Sequence, residues 1–369
     1  MAHSEHDVLE RPEHFDFAED VVDYWARKHP ELAAMHWVAG IILCPCTTLL
    51  SAKDIEYRAI ASRATAFIGD EAAVKKILNI KRQCPHVKHA IQVDGNLLCG
   101  ALSFETELAK VPAEAEWPSI NTTADEDCLI YFTSGTTGLP KMVLHTHISY
   151  PLAHTTTRKR WLLLKPGKVY WNLSDQGWAV FGAWNCGATL FIHNNRGAFN
   201  PSQLHLLHKY PIETLCAPPT AFRQLTANDH EIFIERYPPM ALLDCVSAGE
   251  PLDEEALDAW QRMTSGITIR DGYGQSEVVL VCGNSPNSII KPGSMGKPIP
   301  GVTLATIDES GNETDVAEEG DLAILMEETS KHFWGIFRGY VTPEGQVERP
   351  TVAGPGGKQC RIQNRSLRD

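Results

Sequence analysis

The sequence of 369 residues contains no apolar stretch long enough to cross a membrane, so we predict no membrane span. It is also short of positive charge, because 33 Lys and Arg residues stand against 46 Asp and Glu, a formal net charge of −13. Nucleic-acid binding requires clustered basic residues, and we therefore predict no nucleic-acid partner. The amino-terminal segment lacks the apolar core of a signal peptide and is acidic, unlike a mitochondrial presequence. We expect a cytoplasmic location, with a mitochondrial one left open.

The ten cysteines lack the spacing of a zinc site, since Cys44 and Cys46 are close together but no second pair follows. Most of the others lie in apolar runs, which predicts buried, reduced thiols.

Short apolar strand patterns alternate with helical patterns along much of the chain. Helices are predicted over residues 16–28, 53–63 and 253–266, and strands over 39–46, 66–68, 89–95, 128–132, 169–173, 188–193, 213–217, 242–247 and 267–270. This alternation indicates an α/β fold with mostly parallel sheets flanked by helices.

Three regions are expected along the chain. Residues 1–300 are predicted to form one large α/β core. Residues 301–348 show short strands with turns, which predicts a small β subdomain of the same region. Residues 349–369 have no periodicity and are rich in Gly, Pro, Arg and Lys, which predicts a disordered tail.

A segment rich in hydroxyls and glycines follows the strand at 128–132. Glycines let the backbone approach a phosphate, hydroxyls and free N–H groups can hold its oxygens, and Lys141 adds positive charge. An ordinary polar turn does not need so many hydroxyls beside a lysine, and the spacing is not that of a Walker loop. We predict an ATP phosphate site at Thr133, Ser134, Gly135, Thr136, Thr137, Gly138, Leu139, Pro140 and Lys141.

Two further strand ends carry compatible residues. After the strand at 267–270, Glu277 could ligate Mg²⁺ and Tyr273 offers a flat face to a nucleobase, although Gly-Tyr-Gly also occurs in plain turns. Residues 247–252 turn from a strand into a helix. Because ligand sites in open α/β sheets form at the carboxyl ends of strands, the three segments are expected to converge.

Other polar residues have plainer interpretations. His145 and His147 could form a metal pair, but no third ligand is evident and packing histidines are commoner. The acidic run 125–127 indicates a solvated loop rather than a metal site. Trp178 is either a core aromatic residue or part of a substrate pocket.

The three segments, in this order, resemble the core of the acyl-adenylate-forming superfamily of acyl-CoA synthetases, adenylation domains and luciferases. The surrounding segments IILCPCTTLL, DIEYR, SDQGW, WNCGATLF, APPTAFRQL and KPGSMGKPIPG are similar to those of medium-chain acyl-CoA synthetases in particular. The resemblance runs from about His6 to Glu348 and implies the large amino-terminal domain of that fold.

The resemblance also implies roles for single residues. Lys141 and Glu277 would be catalytic, with Glu277 holding Mg²⁺, and Trp178, Gly249 and Gly274 would border the acyl pocket. The residues implied to bind ATP beside the phosphate segment are Gly249, Glu250, Pro251, Asp271, Gly272, Tyr273, Gly274, Gln275 and Ser276.

The sequence departs from the family pattern in three places. A block of βα structure that separates Val38 from Ala39 in the family is missing, and the stretch after SDQGW is shortened. The family also continues, beyond the segment at 339–349, to a ribose-binding Thr-Gly-Asp segment, a hinge and a carboxyl-terminal domain, none of which is recognisable here. We therefore expect an abridged chain with exposed sheet edges and apolar surface, which does not complete acyl-CoA synthesis alone.

Two functions follow from the resemblance. The first is that of an acid–thiol ligase, which activates a short- to medium-chain fatty acid with ATP to acyl-AMP and then to acyl-CoA. Its cofactor would be Mg²⁺ and its substrates ATP, the acid and CoA. The alternative is a catalytically inactive truncated form that acts at most as a nucleotide-binding or regulatory protein. The sequence does not indicate the oligomeric state.

Overall fold

The structure, a computed structural model, describes residues 12–15, 17–28, 41–112, 122–133, 139–174, 180–193, 200–227, 234–329, 331, 333–349, 352–353 and 359–367. Most of the predicted phosphate segment, residues 134–138, lies outside this part of the chain, and so does Trp178. No helix within these ranges is long and apolar enough to cross a membrane.

A seven-stranded sheet forms the centre of the molecule, in the order β12-β11-β10-β9-β8-β6-β7. Its strands are β6 (Val169–Asn172), β7 (Thr189–Phe191), β8 (Ile212–Cys216), β9 (Asp244–Ala248), β10 (Ile269–Gln275), β11 (Val278–Gly283) and β12 (Lys297–Pro298). Strands β6 to β10 pair in parallel, whereas β11 and β12 add antiparallel strands at one edge. The predicted α/β class with parallel pairing is confirmed.

Three smaller sheets complete the strand inventory of the described residues. A parallel sheet contains β1 (Ala66–Gly69), β2 (His89–Gln92) and β3 (Leu102–Ser103). An antiparallel sheet in the order β16-β15-β5-β4 contains β4 (Asp127–Thr133), β5 (Lys141–Thr146), β15 (Gly339–Val341) and β16 (Val347–Glu348). A second antiparallel sheet in the order β13-β14-β18-β17 contains β13 (Leu304–Ile307), β14 (Gly320–Leu325), β17 (Val352–Ala353) and β18 (Gln359–Leu367).

The α-helices are short and are interleaved with π-helical and 3₁₀ turns. They are α1 (Tyr24–Lys28), α2 (Ala52–Ala61), α3 (Glu71–Asn79), α4 (Phe104–Leu108), α5 (His154–Thr157), α6 (Val180–Trp184), α7 (His205–Lys209), α8 (Pro219–Thr226) and α9 (Glu254–Met263). A π-helical turn Ala18–Asp23 precedes α1, and the 3₁₀ turns are Lys81–Gln83 and Pro201–Leu204. The π-helical turns Ile148–Leu152 and Arg158–Leu162 flank α5, so that one irregular helix runs over residues 148–162.

Local side chains explain where the regular helices begin. The Ser51 hydroxyl accepts a hydrogen bond from the Asp54 N–H at 3.3 Å, and the Asp54 carboxylate accepts one from the Ser51 N–H at 3.0 Å. This reciprocal pair caps α2. Asp253 caps α9 in the predicted way, since its carboxylate accepts from the Ala256 N–H at 2.8 Å.

The central sheet is covered on both faces. One face packs against α8 and α9, where Phe222 and the fully buried Trp260 meet at 5.1 Å between ring centroids. The other face packs against the irregular helix and α6 through Trp161 and Leu162. Neighbouring residues on one strand, such as Leu215 and Cys216, point into the two different cores, which explains why these strands are apolar throughout.

The carboxyl-terminal residues differ from the prediction of a disordered tail over 349–369. Strand β18 pairs antiparallel with β14, with Ala323 opposite Ile362 and Leu325 opposite Cys360. Without β18, β14 would present an unpaired edge, and pairing satisfies its backbone groups. The strands of 301–348 are also divided, because β13 and β14 join this sheet whereas β15 and β16 join β5.

Two local predictions are corrected. The strand predicted over 39–46 is reduced, within the described residues, to a single parallel bridge between Leu43 and Leu129. The segment after 267–270 is not a loop, because β10 continues through Gln275, where Gln275 lies opposite Val278. Ser276 and Glu277 are thus the two residues of a tight turn between β10 and β11. Asp16, the expected cap of the first helix, lies outside the described residues.

Candidate active site

The two ends of the phosphate segment are held together by an antiparallel pair. Thr133 at the end of β4 lies opposite Lys141 at the start of β5. The Pro140 carbonyl accepts a hydrogen bond from the Tyr57 hydroxyl at 2.8 Å, which ties this end of the segment to α2. Leu139 is 59% exposed. Strands β4 and β5 are therefore aligned at the two ends of the predicted phosphate segment, and the second end is also tied to α2.

Tyr340 on β15 connects Lys141 with Glu277. Its hydroxyl donates to a Glu277 carboxylate oxygen at 2.8 Å, and the Lys141 Nζ lies 5.0 Å from the centre of its ring. Tyr340 lies opposite Val143, two residues along β5 from Lys141, so that the lysine and the tyrosine share one face of the sheet. The two residues predicted to be catalytic are thus brought to opposite ends of one aromatic side chain.

The turn with Ser276 and Glu277 is also held through its backbone. The Glu277 carbonyl accepts from the Phe337 N–H at 2.8 Å, and the Ser276 carbonyl lies 2.6 Å from Nε2 of His145. Because a carbonyl can only accept, Nε2 carries the proton. Burial lowers the pKa of His145 to about 4, so the ring is neutral and its Nδ1 accepts from the Ser149 hydroxyl at 2.9 Å.

His145 and His147 are both buried in the structure, which agrees with packing rather than with a metal pair. Among the described residues no group of three or more His, Cys, Asp or Glu side chains could hold a metal ion. Glu277 is therefore a single carboxylate, a donor set that suits Mg²⁺ only if phosphate oxygens and water supply the remaining ligands.

Asp271 lies in the interior of β10 and is 3% exposed. Desolvation raises the pKa of its carboxyl to about 7, although hydrogen bonds from the backbone of Gly272 and Leu252 act in the opposite direction. Its Oδ2 has no hydrogen-bond partner within the described structure. With a pKa of about 7, this buried carboxyl is only partly ionised at neutral pH.

Glycines in β10 allow close packing around the predicted nucleotide segment. A Cβ atom on Gly272 would lie 2.8 Å from the Trp161 ring, and one on Gly274 would lie 2.9 Å from the Val279 carbonyl oxygen. Tyr273 and Gln275 project from the same strand, and the Gln275 amide donates to the Tyr273 hydroxyl at 2.9 Å. The ladder between β10 and β11 shifts register here, which is typical of strands beside binding sites.

The segment that follows β9 is fixed by an arginine. Gly249 has a φ of +100°, a conformation that glycine adopts without strain. Glu250 and Asp253 both pair with Arg223 of α8, at 2.6 Å and 3.2 Å. Glu250 and the neighbouring Pro251 belong to the segment that the resemblance implies binds ATP, and the two ion pairs connect this segment with α8.

A cavity of about 210 Å³ lies between β4 and the β10–β11 hairpin. Gly274 and Ser276 line it, as does Ala248, the neighbour of Gly249. The predicted acyl-pocket residue Gly274 is therefore at a cavity, while Trp178 lies outside the described residues.

Four of the lining residues were given no role from the sequence: Tyr150, His154, Thr157 and Trp161. Tyr340 was missed as well. The path of the irregular helix brings the first four to the cavity, and the pairing of β15 with β5 brings Tyr340 to Lys141.

Comparison with known proteins identifies the class. The family model described as AMP-binding enzyme matches residues 18–341, and the chain belongs to this family.

The human acyl-coenzyme A synthetase ACSM4, mitochondrial, is 39% identical over 296 residues, which cover 79% of this chain and 50% of that protein. The mouse acyl-coenzyme A synthetase ACSM3, mitochondrial, is 38% identical over 82% of this chain and 52% of its own length. The chain thus spans about half the length of the curated relatives it matches.

Solved structures give the same fold. An anthranilate CoA ligase, AuaEII, in complex with anthranoyl-AMP superposes with a TM-score of 0.72 at 25% identity, over 82% of this chain and 57% of the ligase. An acyl-CoA synthetase of Brucella canis gives a TM-score of 0.72 at 25% identity, over 88% of this chain and 58% of that protein. The expected fold of the adenylate-forming enzymes is confirmed.

Proposed function

We propose that this chain binds Mg·ATP and a short- to medium-chain carboxylic acid and joins them as an acyl-adenylate, the first step towards an acyl-CoA. The observation that carries the proposal is the arrangement around Tyr340. It holds Lys141 and Glu277 together, beside the antiparallel pair of Thr133 and Lys141 that borders the predicted phosphate segment. The cavity next to Gly274 and Ser276 offers space for the acid.

The chemistry requires little acid–base catalysis. The acid's carboxylate attacks the α-phosphorus of ATP and pyrophosphate leaves, so the site must mainly position the reactants and balance negative charge. Lys141 supplies positive charge at the end of the predicted phosphate segment. Glu277 would hold Mg²⁺, which when bound neutralises phosphate charge. Ser276 would approach the α-phosphate, because its turn is fixed by the hydrogen bond that its carbonyl accepts from the Nε2–H group of His145.

The adenine would lie between Tyr273 and the segment of Gly249, Glu250 and Pro251. The fixed ion pair of Glu250 with Arg223 favours this arrangement because it keeps the segment in place before ATP arrives. CoA, the third substrate of acyl-CoA synthetases, would react with the acyl-adenylate in the second step.

The experiment is carboxylate-dependent exchange between ATP and pyrophosphate, which reports the first step alone. We expect exchange with hexanoate, and we expect Lys141→Ala and Glu277→Gln to reduce it by at least about a hundredfold, the loss typical of one charge-stabilising group. Lys165→Ala, at an exposed lysine away from the cavity, is the matched control. Mg·ATP binding without exchange would favour the alternative of a nucleotide-binding or regulatory protein.

A further inference from the structure

Arg58 of α2 brings a positive charge to the cavity beside Gly274 and Ser276. The residue is half-buried and lines the cavity together with Phe132, whose ring centre lies 4.7 Å from the Arg58 Cζ. Among the described lining residues it alone carries a charge at neutral pH, because they include no Asp, Glu or Lys, and burial lowers the pKa of His154 to about 3. The described wall of the cavity therefore has one cation and no anion.

The end of the Arg58 guanidinium is open to a ligand. Its Nε is enclosed and has no hydrogen-bond partner in the described structure. Nη1 and Nη2 form no hydrogen bond or ion pair with any residue that the structure describes, and they are not among its enclosed unpaired atoms. The two terminal nitrogens therefore keep accessible surface. They can present two parallel N–H donors, which is the arrangement that binds both oxygens of a carboxylate.

The groups around Arg58 do not balance its charge. Asp54 lies one helical turn before it, but this carboxylate is held in the cap of α2, with the Ser51 hydroxyl at 2.6 Å. Burial raises the pKa of the Cys44 thiol to about 11, although Arg58 acts in the opposite direction, so this neighbour is a neutral thiol. A partly buried charge without a partner is unfavourable, and an anionic group of a ligand would supply the partner.

Contacts on both sides of Arg58 in the sequence hold it in position. The Tyr57 hydroxyl donates to the Pro140 carbonyl at 2.8 Å, and the Ser62 hydroxyl donates to the Arg58 carbonyl at 2.7 Å. The guanidinium itself lies over the Phe132 ring, which restricts the side chain. Because the side chain is already restricted, less conformational entropy is lost when the guanidinium pairs with a ligand.

From these observations we propose that the cavity selects a dicarboxylic acid, and that Arg58 binds the carboxylate that does not react. The inference rests on the proposed function, because it takes the cavity as the place of the acyl group. One carboxylate would be activated beside Ser276, which lines the same cavity, and the second would meet the guanidinium. A monocarboxylic acid of equal length would leave Arg58 beside a methyl group and would lack this charge-assisted pair of hydrogen bonds.

The test compares adenylate analogues of matched chain length by calorimetry on the full chain. They are the acyl sulfamoyl adenosines of hexanoic, 6-hydroxyhexanoic and adipic acid, and those of octanoic and octanedioic acid. At one or both lengths, we expect the dicarboxylic compound to bind at least about tenfold more tightly than its monocarboxylic partner. The preference should fall as salt is added, because an accessible ion pair is screened. No preference at either length would overturn the proposal, and so would an equal gain from the neutral 6-hydroxyhexanoyl compound.

Variants assign the preference to Arg58. Arg58→Met removes the charge but keeps a long side chain against Phe132, and it should reduce the preference to about twofold or less. Arg58→Gln is the second neutral variant, which decides if Arg58→Met does not fold. Lys53→Met removes a charge from an exposed position of the same helix outside the cavity lining, so it should keep the full preference. A preference retained in the Arg58 variants, or lost equally in Lys53→Met, would overturn the role of Arg58.

Binding of Mg·ATP separates this role from that of a phosphate ligand. The distinction is needed because Tyr57, the neighbour of Arg58, contacts Pro140 at one end of the predicted phosphate segment. In Arg58→Met, the affinity for the adipoyl analogue should fall more than the affinity for Mg·ATP. Equal losses for the two ligands would show that Arg58 contacts phosphate and would overturn the proposal.

Failure of the inference can be told apart from failure of the proposed function. If all analogues bind equally and hexanoate supports pyrophosphate exchange, the enzyme assignment stands and only the selection of a second carboxylate is wrong. If no analogue binds and no acid supports exchange, both the proposed function and the inference are wrong.

Discussion

The seven-stranded and the three-stranded sheet both contain parallel strands that pack against helices, yet among the described residues only the first has both faces covered. In the central sheet, Leu215 and Cys216 point into separate cores formed by helices on opposite sides. In the sheet β1-β2-β3, α2 and α3 cover one face with residues such as Val74 and Ile77. The opposite face shows Ile68, which is 58% exposed, and Leu102, which is 39% exposed.

The register makes the uncovered face continuous. Ile68 lies opposite Ile91, and Ile91 lies opposite Leu102, so three apolar residues form a row across the sheet. Parallel sheets almost always have both faces covered. The sequence had suggested that a βα block between Val38 and Ala39 is missing, with apolar surface left exposed as the result. The exposed row is such a surface, and it lies in the sheet nearest that position in the sequence.

The largest effect on the free energy of unfolding should come from a substitution in the core between the central sheet and its helices. Trp260→Ala removes a fully buried indole that packs against Phe222, and we expect a loss of about 3–5 kcal/mol in the free energy of unfolding. Urea denaturation measures it. Ile68→Ala on the uncovered face is the matched control and should change little. Similar losses in the free energy of unfolding for the two variants would mean that both sheets are equally well covered.

The pH dependence of stability should also differ between the regions. The folded-state pKa of Asp271 is raised to about 7 from an ordinary 3.8, so the unfolded chain ionises first. The folded state then holds the additional proton between about pH 4 and 7, and its stability falls as the pH rises through this range. The total is on the order of 4 kcal/mol, because a shift of about three pKa units corresponds to roughly 1.4 kcal/mol for each unit.

Asp271→Asn should remove this dependence of the free energy of unfolding on pH. Urea denaturation at pH 5 and pH 8 measures it, and the two free energies should differ less in Asp271→Asn than in the parent chain. Asp54, in the cap of α2, is the control with the opposite sign. Hydrogen bonds from Ser51 lower the pKa of its carboxyl, so its contribution is present above about pH 4 and is lost as the solution becomes more acidic. Parallel curves for the parent chain and Asp271→Asn would show that the buried carboxyl does not titrate as inferred.

Within the smaller sheet, the covered face should still behave as a packed core. Ile77→Val deletes one methylene from a fully buried side chain, and the expected loss is about 1 kcal/mol. Hydrogen exchange should then accelerate in α2 and α3 more than in β8 and β9, because a small unit with one open face opens separately. Uniform acceleration through all sheets would instead show that the whole domain unfolds as one unit.

The smallest effect on stability should come from the row of Ile68, Ile91 and Leu102 on the uncovered face. Ile68→Thr keeps a β-branched side chain on an exposed strand position, and stability should change by no more than about 0.5 kcal/mol. Self-association should decrease, since exposed apolar patches promote it, and light scattering against concentration measures this. A large loss of stability would reveal that the row is covered by other parts of the protein in solution.

The sequence predicted well where local signals sufficed. The cap at Asp253 marked α9, and apolar runs located β6, β8 and β9 within one or two residues. The phosphate site predicted over residues 133–141, from hydroxyls, glycines and a lysine that follow a strand, stays a prediction, because residues 134–138 lie outside the described part of the chain. The positions of Tyr340 and His154 at the site were not predicted, since they depend on pairings between segments that are distant in the sequence.

Two mistakes have the same origin. Residues 359–367 have polar composition, and only the free edge of β14 makes them a strand. Conversely, residues 39–46 are apolar, but Leu43 makes only one bridge to β4. Composition indicates what a segment can bury, whereas a partner strand decides whether it becomes part of a sheet.

The pairing of β15 with β5 bears on how the site comes together during synthesis. Arg338 pairs with Asp127 at 2.6 Å across 211 positions, and Tyr340 reaches back to Glu277. While the ribosome is still making the intervening residues, Lys141 and Glu277 have no Tyr340 between them. The nascent polypeptide can form its central sheet earlier. The contacts of Tyr340 with Lys141 and Glu277 form only after residue 340 has left the exit tunnel. Assembly of the site is therefore a late event, timed by translation rather than by the motifs themselves.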